Sequence, residues 1–545
     1  MLGRFKASLS TAGELTGTLF FAASLSPSLL PRPYVMQGLI SGFALAAGYG
    51  IGVTCRWLWS YLGLPLPRDR VQRITLWVAT TVCLATAFLF LREASEWQNS
   101  IRELMELEPV DSARPFGVGA IAALVFVILL GIGRLFQLTF RLVSRRLGRR
   151  IPHRVASVLG MFVSVTIFWS VIDGVLFRFV LAVADASFQR VDALIEPDFE
   201  APVASMKAGS AESLIAWDDL GRAGREFIAS GPTASEIERF LEEPALEPIR
   251  VYVGLNAAET IHERVQLAID ELHRVRAFER SVLIVVTPTG TGWVDPAAMG
   301  PVEYLHRGDV ASIAVQYSYL PSWLSLMVEP EYGLDTAAAL FASIYSHWRM
   351  LPRDSRPALY LHGLSLGALN SQEAADLYDV IADPFAGALW SGPPFRSEAW
   401  REFTRQRDPS SPAWLPRFRD DSVVRFMNQH GTSSAPEAPW GPLRIVYLQY
   451  ASDPITFFEP DVLYRSPEWL AEPRGPDVSP RLRWYPVVTM LQLVADLAVG
   501  DRSPAGYGHV YAPAHYIDAW IQVTRPQGWS EERITQLEGH LAGLK

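Results

Sequence analysis

Cysteine and charge are both scarce in this chain. Its 545 residues include two cysteines, Cys55 and Cys83, too few for a disulfide framework or a thiolate metal site. The ten histidines are scattered, and the sequence contains neither a metal-binding spacing nor a cofactor motif, so we expect no metal and no cofactor. Charged residues make up 19% of the chain, and the formal net charge of −9 argues against a nucleic-acid partner.

Charged side chains are missing altogether from five long apolar stretches in the first third of the chain. Each stretch is close to the length at which a helix crosses a bilayer, and such stretches are rare in soluble cores. The first is the weakest, because Pro27, Pro31 and several serines interrupt it, and a broken or re-entrant segment is the alternative there. We therefore predict a multi-span α-helical transmembrane domain over residues 1–185, with the lipid bilayer as its partner. The stretches are 15–31, 35–55, 74–91, 116–133 and 155–172.

The loops between these stretches differ in charge. Loop 56–73 carries four arginines and one acidic residue, and loop 134–154 carries seven arginines and no acid, whereas 92–115 has three arginines and six acids. Basic loops stay on the cytoplasmic side. This asymmetry predicts a multi-pass protein of the cell membrane whose C-terminal part lies outside the cytoplasm. Residues 186–245 are predicted to form an interfacial helix and a linker.

A different pattern begins near residue 246, where short β-branched and aromatic runs alternate with helical stretches. This alternation is typical of a mostly parallel sheet with helices on both faces, so we predict an α/β domain over 246–545. Helices are predicted at about 258–276, 334–350, 367–381 and 513–523. Strands are predicted at 249–254, 281–287, 311–317, 357–362, 386–390 and 444–450.

The sharpest chemical signal is the run Gly-Leu-Ser-Leu-Gly at 363–367. By itself G-x-S-x-G is a weak motif, but here it follows a predicted strand and opens a predicted helix. That context is the one a nucleophile elbow requires, in which a tight turn exposes the serine hydroxyl above the sheet. We therefore predict Ser365 as a nucleophile; a plain turn with an incidental serine is the alternative.

A serine nucleophile needs a base and an acid, and α/β-hydrolases supply them in the order Ser, acid, His. Asp453 follows the strand at 444–450, and His509 precedes the last amphipathic helix, so these two are the predicted acid and base. Asp453 has a helix-capping or turn role as its alternative. The weaker candidates are Asp461 and Asp501 for the acid, and His515 and His362 for the base.

Acyl transfer also requires N–H donors for the oxyanion that develops in the transition state. The N–H of Leu366, directly after the nucleophile, is the first predicted donor. The second should come from the glycine-containing loop after the strand at 281–287, where Thr289, Gly290 and Thr291 are candidates. A phosphate-binding loop is excluded there, because no G-K-[ST] sequence follows.

With these motifs the chain resembles the bacterial membrane-attached α/β-hydrolase family (the alpha/beta-hydrolase family 9 type), in which a multi-span N-terminal domain precedes the hydrolase domain. The resemblance implies a serine hydrolase at the membrane and does not supply a substrate. One departure from the general plan is the helix at 258–276, where an antiparallel hairpin is usual. The phrases that carry the resemblance are SLSPSLLPRPYVMQGLISG (24–42), TPTGTGW (287–293), GLSLGALNS (363–371) and LWSGPPF (389–395).

Two functions are consistent with these features. The favoured one is a serine esterase or acyltransferase acting outside the cytoplasm on a lipid or cell-envelope ester, with lid insertions near 318–332 and 391–443 that are rich in aromatic residues. The alternative is a catalytically inactive hydrolase-like domain on a membrane transport or scaffold protein. The acyl group, its acceptor and the oligomeric state have no signature in the sequence.

Overall fold

The chain forms two structural units in a computed structural model. The structure describes residues 10–65, 69–171, 192, 199–320, 330–375, 380–432 and 438–543. The first unit, here called the helical unit, contains residues up to 182 together with 458–470 and 476–503. The second, here called the sheet unit, contains 183–457, 471–475 and 504 onward. The C-terminal half of the sequence therefore contributes to both units.

The helical unit is built from apolar helices. Three stretches are long and apolar enough to cross a membrane: Tyr34–Tyr61, Arg70–Met105 and Pro115–Leu147. They correspond to the second, third and fourth predicted spans, and they are compatible with a membrane anchor. The helices of this unit are α1 (Thr11–Ser24), α2 (Tyr34–Tyr61), α3 (Asp69–Arg102), α4 (Pro115–Leu147), α5 (His153–Trp169) and α14 (Val488–Leu497), with short 3₁₀ turns at Glu103–Met105, Pro460–Leu463, Glu468–Leu470 and Gly500–Arg502.

The first and fifth predicted spans form shorter helices. The stretch 15–31 is helical only as far as Ser24, because Pro27, Pro31 and Pro33 then follow and proline cannot continue a helix. Helix α1 packs closely on α2, since a Cβ at Gly52 would lie 2.4 Å from the Ala12 carbonyl oxygen. Helix α5 has 17 residues, and the part of the fifth stretch beyond residue 171 lies outside the described residues.

The sheet unit contains a seven-stranded sheet in the order β1-β3-β2-β4-β5-β7-β6, and all of its strand pairs are parallel. The predicted α/β class is therefore confirmed, and each of the six predicted strands appears within two residues of its expected ends. The strands are β1 (Ile249–Val253), β2 (Val282–Thr287), β3 (Val310–Val315), β4 (Ala358–Leu364), β5 (Gly387–Ser391), β6 (Val424–Met427) and β7 (Arg444–Leu448).

Helices connect the parallel strands. A helix separates β1 from β2, as the sequence predicts, and β1 pairs in parallel with β3 in place of an initial hairpin. The described part of the predicted linker 186–245 contains α6 and α7. The helices of the sheet unit are α6 (Gly221–Ala229), α7 (Ala234–Leu241), α8 (Ile261–Arg274), α9 (Pro296–Leu305), α10 (Pro330–Met350), α11 (Leu366–Ala374), α12 (Glu398–Arg405), α13 (Pro454–Phe457), α15 (Pro513–Thr524) and α16 (Glu531–Gly543), with 3₁₀ turns at Trp217–Leu220 and Ala277–Glu279.

The segment 391–443, predicted as a lid insertion, takes part in the sheet. Strand β6 lies within it and pairs with β7 at the sheet edge. Two of its aromatic residues pack inward: Trp400 is buried and donates a 2.7 Å hydrogen bond to Gln449 Oε1, and Phe426 is buried and stacks on Tyr447. Core packing therefore explains these residues. Of the other predicted lid, 318–332, residues 321–329 lie outside the described residues.

Candidate active site

Ser365 stands at the carboxyl end of β4 in a strained backbone conformation. Its φ of 56° and ψ of −126° lie in a region that side-chain-bearing residues rarely adopt. The Ser365 N–H donates a 2.9 Å hydrogen bond to the Ser391 carbonyl at the end of neighbouring β5, which holds the turn against the sheet. Helix α11 begins at the next residue, so the serine occupies the sharp strand-to-helix turn that the motif predicts.

Glycines on both sides of the serine allow this turn to close. A Cβ at Gly363 would lie 2.5 Å from the Gly367 carbonyl oxygen, so strand and helix could not approach so closely with a larger residue. A Cβ at Gly367 would lie 2.2 Å from the Thr287 carbonyl oxygen. The end of β2, where the predicted oxyanion loop starts, is therefore in direct contact with the elbow.

Asp453 and His509 form a buried hydrogen-bonded pair. The Asp453 side chain is fully buried, and its Oδ2 accepts a 2.7 Å hydrogen bond from His509 Nδ1. Its Oδ1 accepts the Ile455 N–H at 2.9 Å, and the Thr456 hydroxyl approaches Oδ2 at 3.3 Å. An ionised carboxylate can only accept, so the shared proton is assigned to Nδ1 and the free lone pair to Nε2. That Nε2 atom is buried and has no hydrogen-bond partner among the described residues.

The Asp453–His509 pair and the Ser365 elbow are linked by the end of β5 and the residue that follows it. Gly392 follows Ser391 and donates its N–H to the Leu448 carbonyl at 2.9 Å. A Cβ at Gly392 would lie 2.6 Å from His509 Cε1, so the imidazole rests directly on this residue. Ser365 is hydrogen-bonded to Ser391, and the next residue, Gly392, contacts the imidazole. No direct hydrogen bond joins Ser365 and His509. The three predicted triad residues come together at one edge of the sheet.

The weaker candidates have other partners. Asp461 is exposed and accepts a hydrogen bond from the Tyr464 hydroxyl, and Asp501 is exposed. His515 Nδ1 is bonded to the Tyr450 hydroxyl at 2.6 Å, and His362 Nδ1 to the Leu389 carbonyl at 2.8 Å. Burial lowers the pKa of each of these two histidines to about 4. They are therefore neutral structural groups at physiological pH.

Tyr511 is a site residue that the sequence analysis missed. Its buried hydroxyl donates a 2.8 Å hydrogen bond to Asp453 Oδ2, the oxygen that also accepts from His509. Its ring stacks on Tyr450 with the ring centres 4.4 Å apart. Burial, reinforced by Asp453, raises the pKa of this hydroxyl well above its ordinary value, so it remains a donor. No sequence spacing marks it, because His509 lies in the tight turn 507–510 and the contact with Asp453 is tertiary.

A second buried carboxyl, Asp295, lies at the end of the loop after β2. It begins helix α9 as its cap, with Oδ1 accepting the Ala297 N–H at 2.9 Å. Burial raises its pKa to about 7, and Ala297, Tyr516 and His509 limit that rise by favouring the ionised form. The group therefore titrates near neutral pH next to the histidine. No motif marks it, because an aspartate before proline reads as an ordinary helix cap.

One of the predicted oxyanion donors, the Thr289 N–H, has a hydrogen-bond partner within its own loop. The Thr289 N–H donates to the Trp293 carbonyl at 3.0 Å, and the Gly292 N–H donates to the Thr289 carbonyl at 2.9 Å. The Thr289 N–H is therefore committed within the loop. The N–H of Leu366 opens helix α11, whose positive end favours a developing negative charge.

Ser365, His509 and Asp453 carry the hydroxyl, the imidazole and the carboxylate that nucleophilic catalysis by a serine requires. Across the described ranges, no group of three or more His, Cys, Asp or Glu side chains could hold a metal ion.

Comparison with known families gives two matches. The model described as "Alpha/beta-hydrolase family" matches residues 249–537, and that described as "Alpha/beta-hydrolase family N-terminus" matches residues 25–232. No curated protein and no solved structure matches the chain.

Proposed function

The chain belongs to this alpha/beta-hydrolase family, and from that premise we propose that it is a membrane-anchored serine hydrolase of carboxylic esters. The observation that carries the proposal is the buried Asp453–His509 hydrogen bond, which leaves His509 Nε2 unpartnered beside the Ser365 elbow. A buried nitrogen without a hydrogen-bond partner lowers the stability of the fold, so its presence points to a function. Accepting the proton of an attacking serine is such a function.

In the proposed mechanism, His509 Nε2 takes the Ser365 hydroxyl proton while the serine oxygen attacks the ester carbonyl carbon. Asp453 keeps the proton on Nδ1 and stabilises the imidazolium that forms. The negative charge on the carbonyl oxygen is stabilised by the Leu366 N–H and by an N–H of the loop after β2. Collapse of this intermediate expels the alcohol, which takes the proton from Nε2. Water, or a second alcohol, then releases the acyl group in the same way.

Labelling with a fluorophosphonate probe tests the nucleophile. We expect wild-type protein in detergent to be labelled, and Ser365→Ala to lose both the label and esterase activity on short acyl esters while remaining folded. Ser371, also buried but on the helix that follows the elbow, offers a matched control: Ser371→Ala should keep the label. If wild-type protein takes no label, the proposal gives way to an inactive hydrolase-like domain on a membrane scaffold.

We further propose that the hydrolase domain faces away from the cytoplasm. Within the helical unit, α2 and α3 place the described part of the basic loop 56–73 at one end, and the segment 25–33 and the acidic loop 103–114 at the other. Residues of the segment 476–503 bond at this acidic end, where Ser479 Oγ lies 2.8 Å from Ser100 Oγ. A reporter that is active only after export should be active when fused after residue 200 and silent at residue 145; the reverse would refute this orientation.

A lipid-linked ester is the substrate class we propose. The support is the apolar helical unit, which would hold the active site within reach of the bilayer. Turnover should rise with acyl chain length and with presentation of the ester in vesicles. Chain-length series measured with and without vesicles would check this. A clear preference for small water-soluble esters would contradict the lipid substrate while leaving the serine mechanism intact.

A further inference from the structure

The chain between the proposed acid and base makes an excursion into the helical unit. The chain leaves the sheet unit after Phe457, four residues after Asp453, returns to it at 471–475, and finally re-enters it at Pro504, five residues before His509. The intervening residues 458–470 and 476–503 belong to the helical unit. Asp453 and His509 therefore lie close to the first and the last points at which this part of the chain passes between the two units.

A buried polar cluster holds this excursion inside the helical unit. Asp496, at the end of α14, pairs with Arg32 at 3.3 Å, and both side chains are fully buried. Its carboxylate also accepts the Ser28 hydroxyl at 3.0 Å and the Leu29 N–H at 3.1 Å. One turn earlier, Gln492 donates to the Ser26 carbonyl at 3.0 Å. We call Asp496 and the residues that it contacts, Ser28, Leu29 and Arg32, the Asp496 cluster.

These contacts are specific and costly to break. A carboxylate and a guanidinium are tolerated in an apolar interior only when they are paired and hydrogen-bonded, and loss of one partner leaves an uncompensated charge. The cluster therefore fixes α14 in one position. Since a free loop of this length would have to be ordered before its ends could meet, fixing 458–470 and 476–503 in the helical unit restricts the positions that Asp453 and His509 can take.

We infer that the Asp496 cluster is a positioning element for the Asp453–His509 pair, so that the helical unit helps to assemble the active site besides anchoring it. The inference rests on the proposed serine mechanism. The four cluster residues touch no reacting atom and act through the covalent arms 454–457 and 504–508. A shift of about 1 Å in a catalytic group can lower turnover by roughly 100-fold, so modest loosening of these arms would be measurable.

The test uses the full chain in detergent or vesicles. Insertion of Gly-Ser-Gly-Ser between Ser503 and Pro504 leaves the cluster and the catalytic residues unchanged and loosens only the arm between them. We expect kcat and the rate of fluorophosphonate labelling, per folded molecule, to fall roughly 10- to 100-fold with little change in KM. The matched control is the same insertion after Asp354, in an exposed turn of the sheet unit, which should keep both rates within about twofold of wild type.

Asp496→Asn tests the cluster itself and should lower the same two rates. Its control is Glu96→Gln, which removes the exposed carboxylate paired with Arg481 in the same unit and should have no effect. If Asp496→Asn does not fold, the insertion variant decides. Wild-type turnover in the Ser503–Pro504 insertion variant would overturn the inference, whereas labelling of Ser365 in the wild-type protein would still support the proposed function. Absence of that labelling would overturn both.

Discussion

Replacing Asp453 by asparagine gives the most detailed prediction of the site. Oδ1 accepts the Ile455 N–H at 2.9 Å, so the amide oxygen of the asparagine must take that place. The amide nitrogen then replaces Oδ2 and presents N–H groups to His509 Nδ1 and to the Tyr511 hydroxyl. Two donors cannot face each other, so the imidazole must move its proton to Nε2. The nitrogen that should act as the base is then protonated and faces the serine as a donor.

The expected loss is large because the variant reverses the tautomer. Turnover should fall by about four powers of ten, which corresponds to about 5.4 kcal/mol on the barrier. The opposite orientation of the amide is also unfavourable, since it would place the asparagine N–H groups against the Ile455 N–H. The assay is kcat on a short chromogenic ester, with the folded amount measured by size exclusion and the thermal midpoint measured separately.

Two exposed aspartates serve as controls for this variant. Asp461→Asn and Asp501→Asn remove the same charge from positions that accept no hydrogen bond from His509, and both should keep wild-type turnover. If Asp453→Asn retains more than a tenth of wild-type activity while Ser365→Ala has none, the tautomer argument is wrong. If either control loses activity and Asp453→Asn does not, the acid has been assigned to the wrong loop.

Three further variants probe the surroundings of the pair. Tyr511→Phe removes a hydrogen-bond donor to Asp453, so kcat should fall roughly tenfold. The acidic limb of the kcat/KM profile should move to higher pH, because the carboxylate then stabilises the imidazolium more strongly. An unchanged pH profile would mean that Tyr511 has only a packing role. Gly392→Ala places a methyl group 2.6 Å from the imidazole, so kcat should fall by at least about tenfold, whereas Gly300→Ala, which points into open space, should keep it; equal kcat values would contradict the contact. Asp295 has a pKa raised to about 7, so its native form binds a proton more tightly than its unfolded form, and the wild-type protein loses stability as pH rises from about 4 to above 7. Asp295→Asn keeps the cap oxygen and removes this loss, so its unfolding free energy in urea, relative to wild type, should be higher at pH 8 than at pH 5 by about 2–3 kcal/mol; a pH-independent difference would contradict the buried titration.

The sequence predicted those parts of the fold whose signals are local. Strands such as Val282–Thr287 are short runs of β-branched residues that are buried on both faces, and this composition is distinctive. Strand β6 was missed because its four residues, Val424–Met427, include Arg425 and lie at the sheet edge. The length of α1 was overestimated because mean hydropathy continues past Ser24, where the prolines end the helix.

The candidate site, like the fold, could be predicted from the sequence only where its signals are local. Ser365, Asp453 and His509 follow from the order of motifs along the chain, and their assembly at one sheet edge follows from parallel topology. The roles of Tyr511 and Asp295 depend on tertiary contacts that no spacing reveals. The excursion was also missed, because Val488–Leu497 is a ten-residue apolar helix that resembles any core helix, and its partners lie more than 460 residues away.

That separation has a consequence for synthesis of the protein. Ser28 and Asp496 are 468 residues apart, so Ser28 emerges from the ribosome long before its partner exists. At cellular elongation rates of about 5–20 residues per second, the delay is roughly 25 to 90 s. During this interval Arg32 has no carboxylate to pair with, and the helical unit remains incomplete. Translation that stops before residue 496 would therefore leave the helical unit without the carboxylate that pairs with Arg32.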